Sequence, residues 1–364
     1  MQQADTDAFR VHAFVPAHNE AEHIVATLRS LQQQTRPPER IVVVADNCTD
    51  ETAELALAQG AAVFVTQDNT HKKAGALNQA ITQEAATFEW AEQDLVLAMD
   101  ADSTLHPRWI EVATRAFDDR QDIGAVGGIF YGDDRPGLLA QMQRNEYARY
   151  AREIAVKKGK VSVLTGTATM FRWPALQAVS EHRPSGEFYD TRALTEDNEI
   201  TLALKSLGFR MISPRSCRVY TETMPTWRDL WHQRLRWQRG ALENLGAYGL
   251  TRVTLPYVGQ QAGMAAGVIL FTLYLVVLVS GLLIFGLHWS PIWVGIGAIF
   301  LAERLVTVWT AGWRARLVAL PLVLEMAFDA FLMAVLIRSA WDIALRRQAT
   351  WHHVTEPAPA GLSR

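Results

Sequence analysis

The chain has 364 residues, a formal net charge of -3 and two cysteines. Near-neutral charge excludes a polycation built to seek nucleic acid. Cys48 and Cys217 lie far apart with no CxxC pair, which excludes a disulfide framework and a cysteine zinc site and suits a reducing compartment.

The N-terminus, "MQQADTDAFR", is polar and lacks the apolar stretch of a signal peptide, which predicts that the first part of the chain stays in the cytosol. The run "RVHAFVPAH" (10–18) reads as a buried strand followed by a turn. In the next segment Ile24, Leu28 and Leu31 have helical spacing. "RIVVVAD" (40–46) is a second strand, and "TDETAELALAQG" is a helix opening on a cap-like Thr49 and ending at Gly60. "AAVFVT" and "DLVLAMD" (94–100) are further strands, followed by the helices "KAGALNQAITQEA" and "HPRWIEVATRAF" respectively. Strand–helix alternation with apolar strands predicts an α/β domain whose mostly parallel sheet is covered on both faces. Ligands of such sheets bind at the carboxyl ends of the strands. Polar residues gather there as "PAHNE", "ADNCTD" and "MDADS". The sequence has neither a GxGxxG after the first strand nor a GxxxxGK[ST], which disfavours a dinucleotide fold and a P-loop.

Asp100 and Asp102 follow the fourth strand. Alternate residues of an extended segment project to one side, and two hard carboxylates suit Mg2+ or Mn2+ carrying waters and substrate phosphates. A solvated turn is the bland alternative. "TED" (195–197) opens a helix with Thr195 at its N-cap. There an acid is either simply stabilised by the helix dipole or held as a general base. "RDLWHQRLRWQRG" (228–240) places four arginines among tryptophans. Gln233, Arg236 and Trp237 share one helix face. That face suits a diphosphate and a sugar ring, or an amphipathic helix at a membrane surface. Lys72-Lys73 reads as a solvated helix start or a phosphate contact, and the adjacent His352 and His353 as a surface pair.

Residues 262–287 carry no charge and exceed the roughly 20 residues a bilayer requires. Residues 291–313 form a second candidate span, interrupted by Glu303-Arg304. A third, 317–337, carries Glu325 and Asp329. Arg314 and Arg316 place the soluble part and the loop after the second segment in the cytosol. Arg338, Arg346 and Arg347 then disfavour a third crossing. The expectation is two spans, with the third segment interfacial, re-entrant or spanning, and its acids facing water or Arg304. The resulting division is a catalytic part (1–225), an interface helix region (226–255), a membrane region (256–345) and a tail (346–364).

Taken in order, "VPAHNE", "ADNCTD", "KAGALN", "DAD", "GTATMFR", "TED" and "QRLRW" resemble the family 2 glycosyltransferases with a GT-A fold. The likeness is to the membrane branch of cellulose, chitin, hyaluronan, Nod-factor and poly-N-acetylglucosamine synthases. The resemblance covers residues 10–245 and implies a Rossmann-like sheet domain followed by a helical membrane region. It implies that Asp46 holds the uracil, helped by Pro16, Ala17, Glu20 and Lys73. Asp100 and Asp102 hold nucleotide and metal. Gly166, Thr167 and Glu196 lie near the acceptor, and Asp197 is the base. Gln233, Arg236 and Trp237 line the diphosphate and acceptor end, leaving Trp231 and some of Arg228, Arg234 and Arg239 to meet the membrane or the domain. A single base with no second carboxylate nucleophile implies inversion at the anomeric carbon.

By the same resemblance, the partners are a UDP-sugar, a saccharide or lipid-linked acceptor and the bilayer, with no nucleic acid. The sequence departs from the polymer synthases: it shows no N-terminal membrane helix and no FxVTxK motif, and "WHHVT" (351–355) only loosely resembles a tail motif of hyaluronan-type enzymes. Two spans do not enclose a sugar channel, so chains associate as a homo-oligomer, or the product is short, or the acceptor is a lipid or protein. The alternatives are transfer of one sugar to a lipid or protein, and a non-catalytic membrane scaffold that binds sugar nucleotides.

Overall fold

Apolar alternation builds the centre of the protein. In the computed structural model, which describes residues 9–286 and 290–347, β1 (Val11–Ala17), β2 (Arg40–Ala45), β3 (Ala62–Val65) and β4 (Leu95–Met99) pair in parallel in the order β3-β2-β1-β4. Along β4, Leu95, Leu97 and Met99 pack on one face and Val96 and Ala98 on the other, as the two-residue period of a strand requires. The first face is covered by α1 (Ile24–Gln32), α2 (Thr52–Ala58) and α4 (Trp109–Asp119), through Leu28, Ala56, Trp109 and Phe117. The second is covered by α3 (Lys72–Thr87), by α5 (Leu138–Val156), and by α6 (Trp173–His182) with α7 (Glu196–Ser206), through Leu77, Ile154, Leu176 and Ile200. Strands buried on both faces are apolar almost throughout, His12 of β1 being a buried exception. Leu97 is fully buried, so its truncation to alanine costs about 2–5 kcal/mol.

Beyond β4 the sheet continues through β8 (Ala168–Arg172), β6 (Ile123–Gly127) and β9 (Arg210–Ile212). Among the described residues the order is β3-β2-β1-β4-β8-β6-β9. β8 runs antiparallel between β4 and β6, so the sheet is mostly but not wholly parallel. A small second sheet joins β5 (Thr104–Leu105), β10 (Arg218–Thr221) and β7 (Ile129–Gly132). The cap expected at Thr49 is not there. Helix α2 starts at Thr52, and the Thr49 amide and hydroxyl donate to Asn19 Oδ1 instead, bridging the loops after β1 and β2.

Helix α8 (Trp227–Tyr248) begins at a capped end, where Thr226 Oγ1 accepts the Asp229 N–H. Helix α9 (Leu255–Phe285) has 31 residues, or about 46 Å at about 1.5 Å per residue, against a hydrocarbon core of about 30 Å. It is long and apolar enough to cross a membrane, and Tyr257 is its buried residue. The single span expected over 291–313 is not formed. Helix α10 (Pro291–Thr307) stops after 17 residues. A 3-10 turn at Trp309–Ala311 and Gly312 at φ 96° separate it from α11 (Trp313–Ala319). The third segment is bent by 80° between α11 and α12 (Leu322–Ala344). Pro321, at the bend, cannot continue a helix without losing a hydrogen bond.

Helix α12 packs along α8, and α11 along α5. Glu325 lies 2.9 Å from Arg149 and 3.7 Å from Arg304, and Asp329 pairs with Arg304. These acids are therefore neutralised inside the protein, as expected of carboxylates kept from lipid. "WHHVT" (351–355) and the histidine pair within it lie outside the described residues.

Candidate active site

A cavity of about 660 Å³ opens at the carboxyl ends of β1, β2 and β4. Its wall holds Pro16, Ala17, Glu20, Asp46, Lys73, Asp100, Asp102, Gly166, Thr167, Glu196, Asp197, Gln233, Arg236 and Trp237. Every candidate site residue named from the sequence thus lines one space. They come together because apolar strands end there and polar loops follow.

At one end Asp46 follows β2. Its Oδ1 accepts Thr66 Oγ1 at 2.8 Å, Asn69 Nδ2 at 2.8 Å and Asn47 Nδ2 at 3.0 Å. These three donors orient the carboxylate through one oxygen. The surrounding loops are unusual: Asn19, Asn47 and Lys72 adopt φ of 57°, 50° and 54°. That region is uncommon for residues with a side chain, and it concentrates at sites whose geometry the surroundings impose. Gly75 explains part of the "KAGALN" motif. A Cβ there would lie 2.1 Å from Asn69 Oδ1, displacing a ligand of Asp46.

The middle of the cavity is a compact charge array. Lys73 Nζ donates to Asp100 Oδ1 at 2.5 Å and to the Gly166 carbonyl at 3.1 Å, and lies 3.2 Å from Glu196 Oε1. Burial opposes the lysine's charge, but Asp100 and Glu196 outweigh it and hold Lys73 protonated above the ordinary lysine range. Asp197 stands at the start of α7. Its Oδ2 accepts the Gly166 N–H at 3.1 Å and its Oδ1 accepts the Asn198 N–H at 2.7 Å. Burial, then repulsion from Glu196, pushes its pKa up to about 6, with Lys73 pulling the other way. Burial also acts against the charge of Glu196, but Lys73 and Arg236 hold it below the usual carboxylate range. Thr195 occupies the N-cap position without a side-chain capping bond.

Asp100 and Asp102 are a strained pair. Burial raises Asp100 to about 6, against the pull of Lys73 and with a further push from Asp102. Burial and then Glu20 raise Asp102 to about 6, against a hydrogen bond from Ser103. Carboxylates that resist ionisation in this way favour a divalent cation, and their hard oxygens suit Mg2+ or Mn2+. Among the described residues no group of three or more His, Cys, Asp or Glu side chains is arranged to hold a metal ion. The pair therefore fits a cation whose other positions are filled by water and substrate oxygens.

Helix α8 closes the cavity with Gln233, Arg236 and Trp237. Arg234 does not reach a membrane: it is buried and pairs with Glu146 at 2.7 Å, with its guanidinium over the Trp237 ring. Trp231 packs on Phe331 of α12, and Arg239 pairs with Glu243. The sequence reading missed an aromatic wall: Phe130, Tyr147 and Tyr150 also line the cavity, with Phe130 stacked on Tyr150. They come from β7 and α5, which carry no motif. His18 was overlooked although it lies within "PAHNE"; its Nδ1 is 2.6 Å from the Asp46 carbonyl.

The family described as "Glycosyltransferase like family 2" matches residues 9–240. The chain is similar to the poly-beta-1,6-N-acetyl-D-glucosamine synthase of Staphylococcus aureus (strain COL), 27% identical over 234 residues. It is similar to the enzyme of the same name from Staphylococcus epidermidis, at 26%. Each match covers 63% of this chain and 53% of the relative, so the chain spans about half the length of the curated relatives it matches. Among solved structures it is similar to the mannosyltransferase PcManGT from Pyrobaculum calidifontis in complex with GDP-Man and Mn2+. That likeness has a TM-score of 0.60 at 18% identity and covers 92% of this chain and 87% of that one. This likeness bears out the expected fold, a GT-A-like mixed sheet followed by a helical region.

Proposed function

The chain belongs to the glycosyltransferase-like family 2, and from that premise we propose that it is a metal-dependent, inverting enzyme. It transfers a sugar from a UDP-sugar to a saccharide acceptor at the cytosolic face of a membrane. The observation that carries this reading is the single cavity in which Asp46, the Asp100–Asp102 pair, Asp197 and Arg236 face a common space.

Asp46 accepts a hydrogen bond from the uracil, its Oδ1 being already fixed by three donors. Asp100 and Asp102 hold the divalent cation, which when bound would supply positive charge for the leaving diphosphate. Arg236 adds a fixed cation at the same end. Asp197 takes the proton of the acceptor hydroxyl. With a pKa of about 6 it is roughly nine-tenths ionised at pH 7, yet more basic than an ordinary aspartate. Its two oxygens are aimed by the Gly166 and Asn198 amides. Trp237 and the Phe130–Tyr150 wall offer ring faces for an acceptor sugar. Of the two carboxylates on the acceptor side, Glu196 is tied to Lys73 at 3.2 Å, which leaves Asp197 as the one base with no second carboxylate nucleophile and favours inversion.

The division into a catalytic part (1–225), an interface helix (226–255) and a membrane region (256–345) belongs to this reading. Helix α9 supports the membrane placement by length and composition. A second reading, one sugar delivered to a lipid or protein acceptor, needs no sugar channel, and among the described residues α9 is the helix long and apolar enough to span. Incubation of membranes bearing the protein with a panel of UDP-sugars and Mn2+ or Mg2+, followed by UDP release and product sizing, tests both. Metal-dependent release with a ladder of products supports extension. A single lipid- or protein-bound sugar supports the second reading, and no release from any donor removes both.

A further inference from the structure

Two halves of α8 do different work on one stripe of its surface. In the first half Gln233, Arg236 and Trp237 face the cavity. In the second half Gly240, Asn244 and Tyr248, four residues apart, meet the start of α7. A Cβ at Gly240 would lie 2.3 Å from Thr195 Oγ1 and 2.6 Å from its Cγ2, so the helices approach this closely only because residue 240 lacks a side chain. Asn244 is buried. Its Nδ2 donates to Asn198 Oδ1 at 2.9 Å and lies 3.3 Å from both the Thr195 carbonyl and Thr195 Oγ1. Tyr248 donates its hydroxyl proton to Glu199 Oε1 at 2.7 Å.

This seam brackets the candidate base. Thr195 and Asn198 flank Glu196 and Asp197 in sequence, and the Asn198 amide itself holds Asp197 Oδ1. We propose that Asn244 is a positioning residue that, seated by Gly240, holds the Asn198 side chain and the Thr195 carbonyl, fixes the first turn of α7 and thereby places the Asn198 backbone N–H that aims the Asp197 carboxylate. The same helix then sets the distance between Arg236 and Trp237 at the leaving-group end and the base at the acceptor end. Reacting groups tolerate little misplacement, a shift of about 1 Å being enough for roughly a hundredfold loss. A seam with almost no side-chain freedom meets that requirement.

The inference rests on the proposed role of Asp197. The test uses the full chain in membranes or detergent, with Asn244→Ala and Gly240→Ala beside Asp197→Asn. Donor affinity, kcat, the pH dependence of kcat and the melting temperature are measured. Asn244→Ala should lower kcat roughly tenfold or more while donor Kd stays within about threefold of wild type. The acid limb of kcat should move to lower pH, because burial is the first cause of the high Asp197 pKa and a loosened seam admits water. Gly240→Ala, which adds one methyl group, should act in the same direction and serves if Asn244→Ala does not fold. A kcat within twofold of wild type overturns the inference. So does a parallel loss of kcat and donor affinity with the acid limb in place, which marks general damage. If Asp197→Asn itself turns over normally, the functional reading fails instead.

Discussion

Gly166 donates its amide proton to Asp197 Oδ2 at 3.1 Å while its carbonyl accepts Lys73 Nζ at 3.1 Å. One glycine thus spaces the candidate base from the Lys73 ammonium. A Cβ there would sit 3.0 Å from Lys73 Nζ and 3.5 Å from Asp197 Oδ2. Gly166→Ala should therefore reduce kcat by roughly tenfold or more with little change in melting temperature, as steady-state kinetics and a thermal melt will show.

The base sets an acid limit on turnover. Burial and Glu196 hold Asp197 at about 6, and a base acts only when deprotonated. The plot of log kcat against pH should be flat above about 7 and fall below about 6. Replacing Glu196 by glutamine removes one source of repulsion and should move the limb to lower pH. A limb that moves upward would contradict the assignment.

The carboxylate pair trades stability for function. The folded pKa of Asp102 lies near 6, above the ordinary aspartate value of 3.8. Between those values the native state binds more protons than the unfolded chain, so stability falls as pH rises through that window and is lowest above it. Asp102→Asn should raise the melting temperature of the metal-free protein at pH 7 while abolishing turnover. Mn2+ should stabilise the wild type but not the variant.

Adjacent residues of the arginine helix should differ in what they affect most. Arg234 is buried against Glu146, with a hydrogen bond to Tyr147. Arg234→Ala leaves a carboxylate without its partner, which costs about 3 kcal/mol, seen as a lower midpoint in urea. Gln233→Ala, on the cavity wall, also removes an acceptor of the Arg234 guanidinium, so it should lower turnover and lower the midpoint by less than Arg234→Ala does.

His12 gives an independent check on the sheet. It is 3% exposed, and among the described residues neither ring nitrogen has a hydrogen-bond partner. Burial lowers its pKa below the ordinary histidine value of 6.5. The neutral ring's contribution is therefore complete above that value and is lost as pH falls from it toward the folded pKa. The drop in unfolding free energy between pH 7.5 and 5.5 should be smaller in His12→Phe than in wild type.

Much of this was readable in the sequence because the parallel half is built locally. Runs such as "LVLAMD" carry both the buried strand and the acid at its end, and Asp100 and Asp102 lie where that pattern puts them. Contacts set by tertiary packing were not readable. The antiparallel β8 pairs with β4 across a long stretch of chain (Leu95 against Arg172). Arg234 looks like its half-buried neighbours until Glu146 arrives from α5. The span expected over 291–313 failed because hydropathy does not register that the helix ends at Thr307, with a 3-10 turn and Gly312 at φ 96° before the next helix. Phe130, Tyr147 and Tyr150 carry no motif, and only folding brings them to the cavity.

The central claim is that Asp197 deprotonates the acceptor while the rest of the cavity holds the nucleotide. The most direct measurement is UDP-sugar binding and transfer by Asp197→Asn against wild type, with the active donor and Mn2+. The account predicts unchanged donor affinity within about threefold and a loss of transfer of at least about a thousandfold. Transfer at near wild-type rate with intact binding would contradict it.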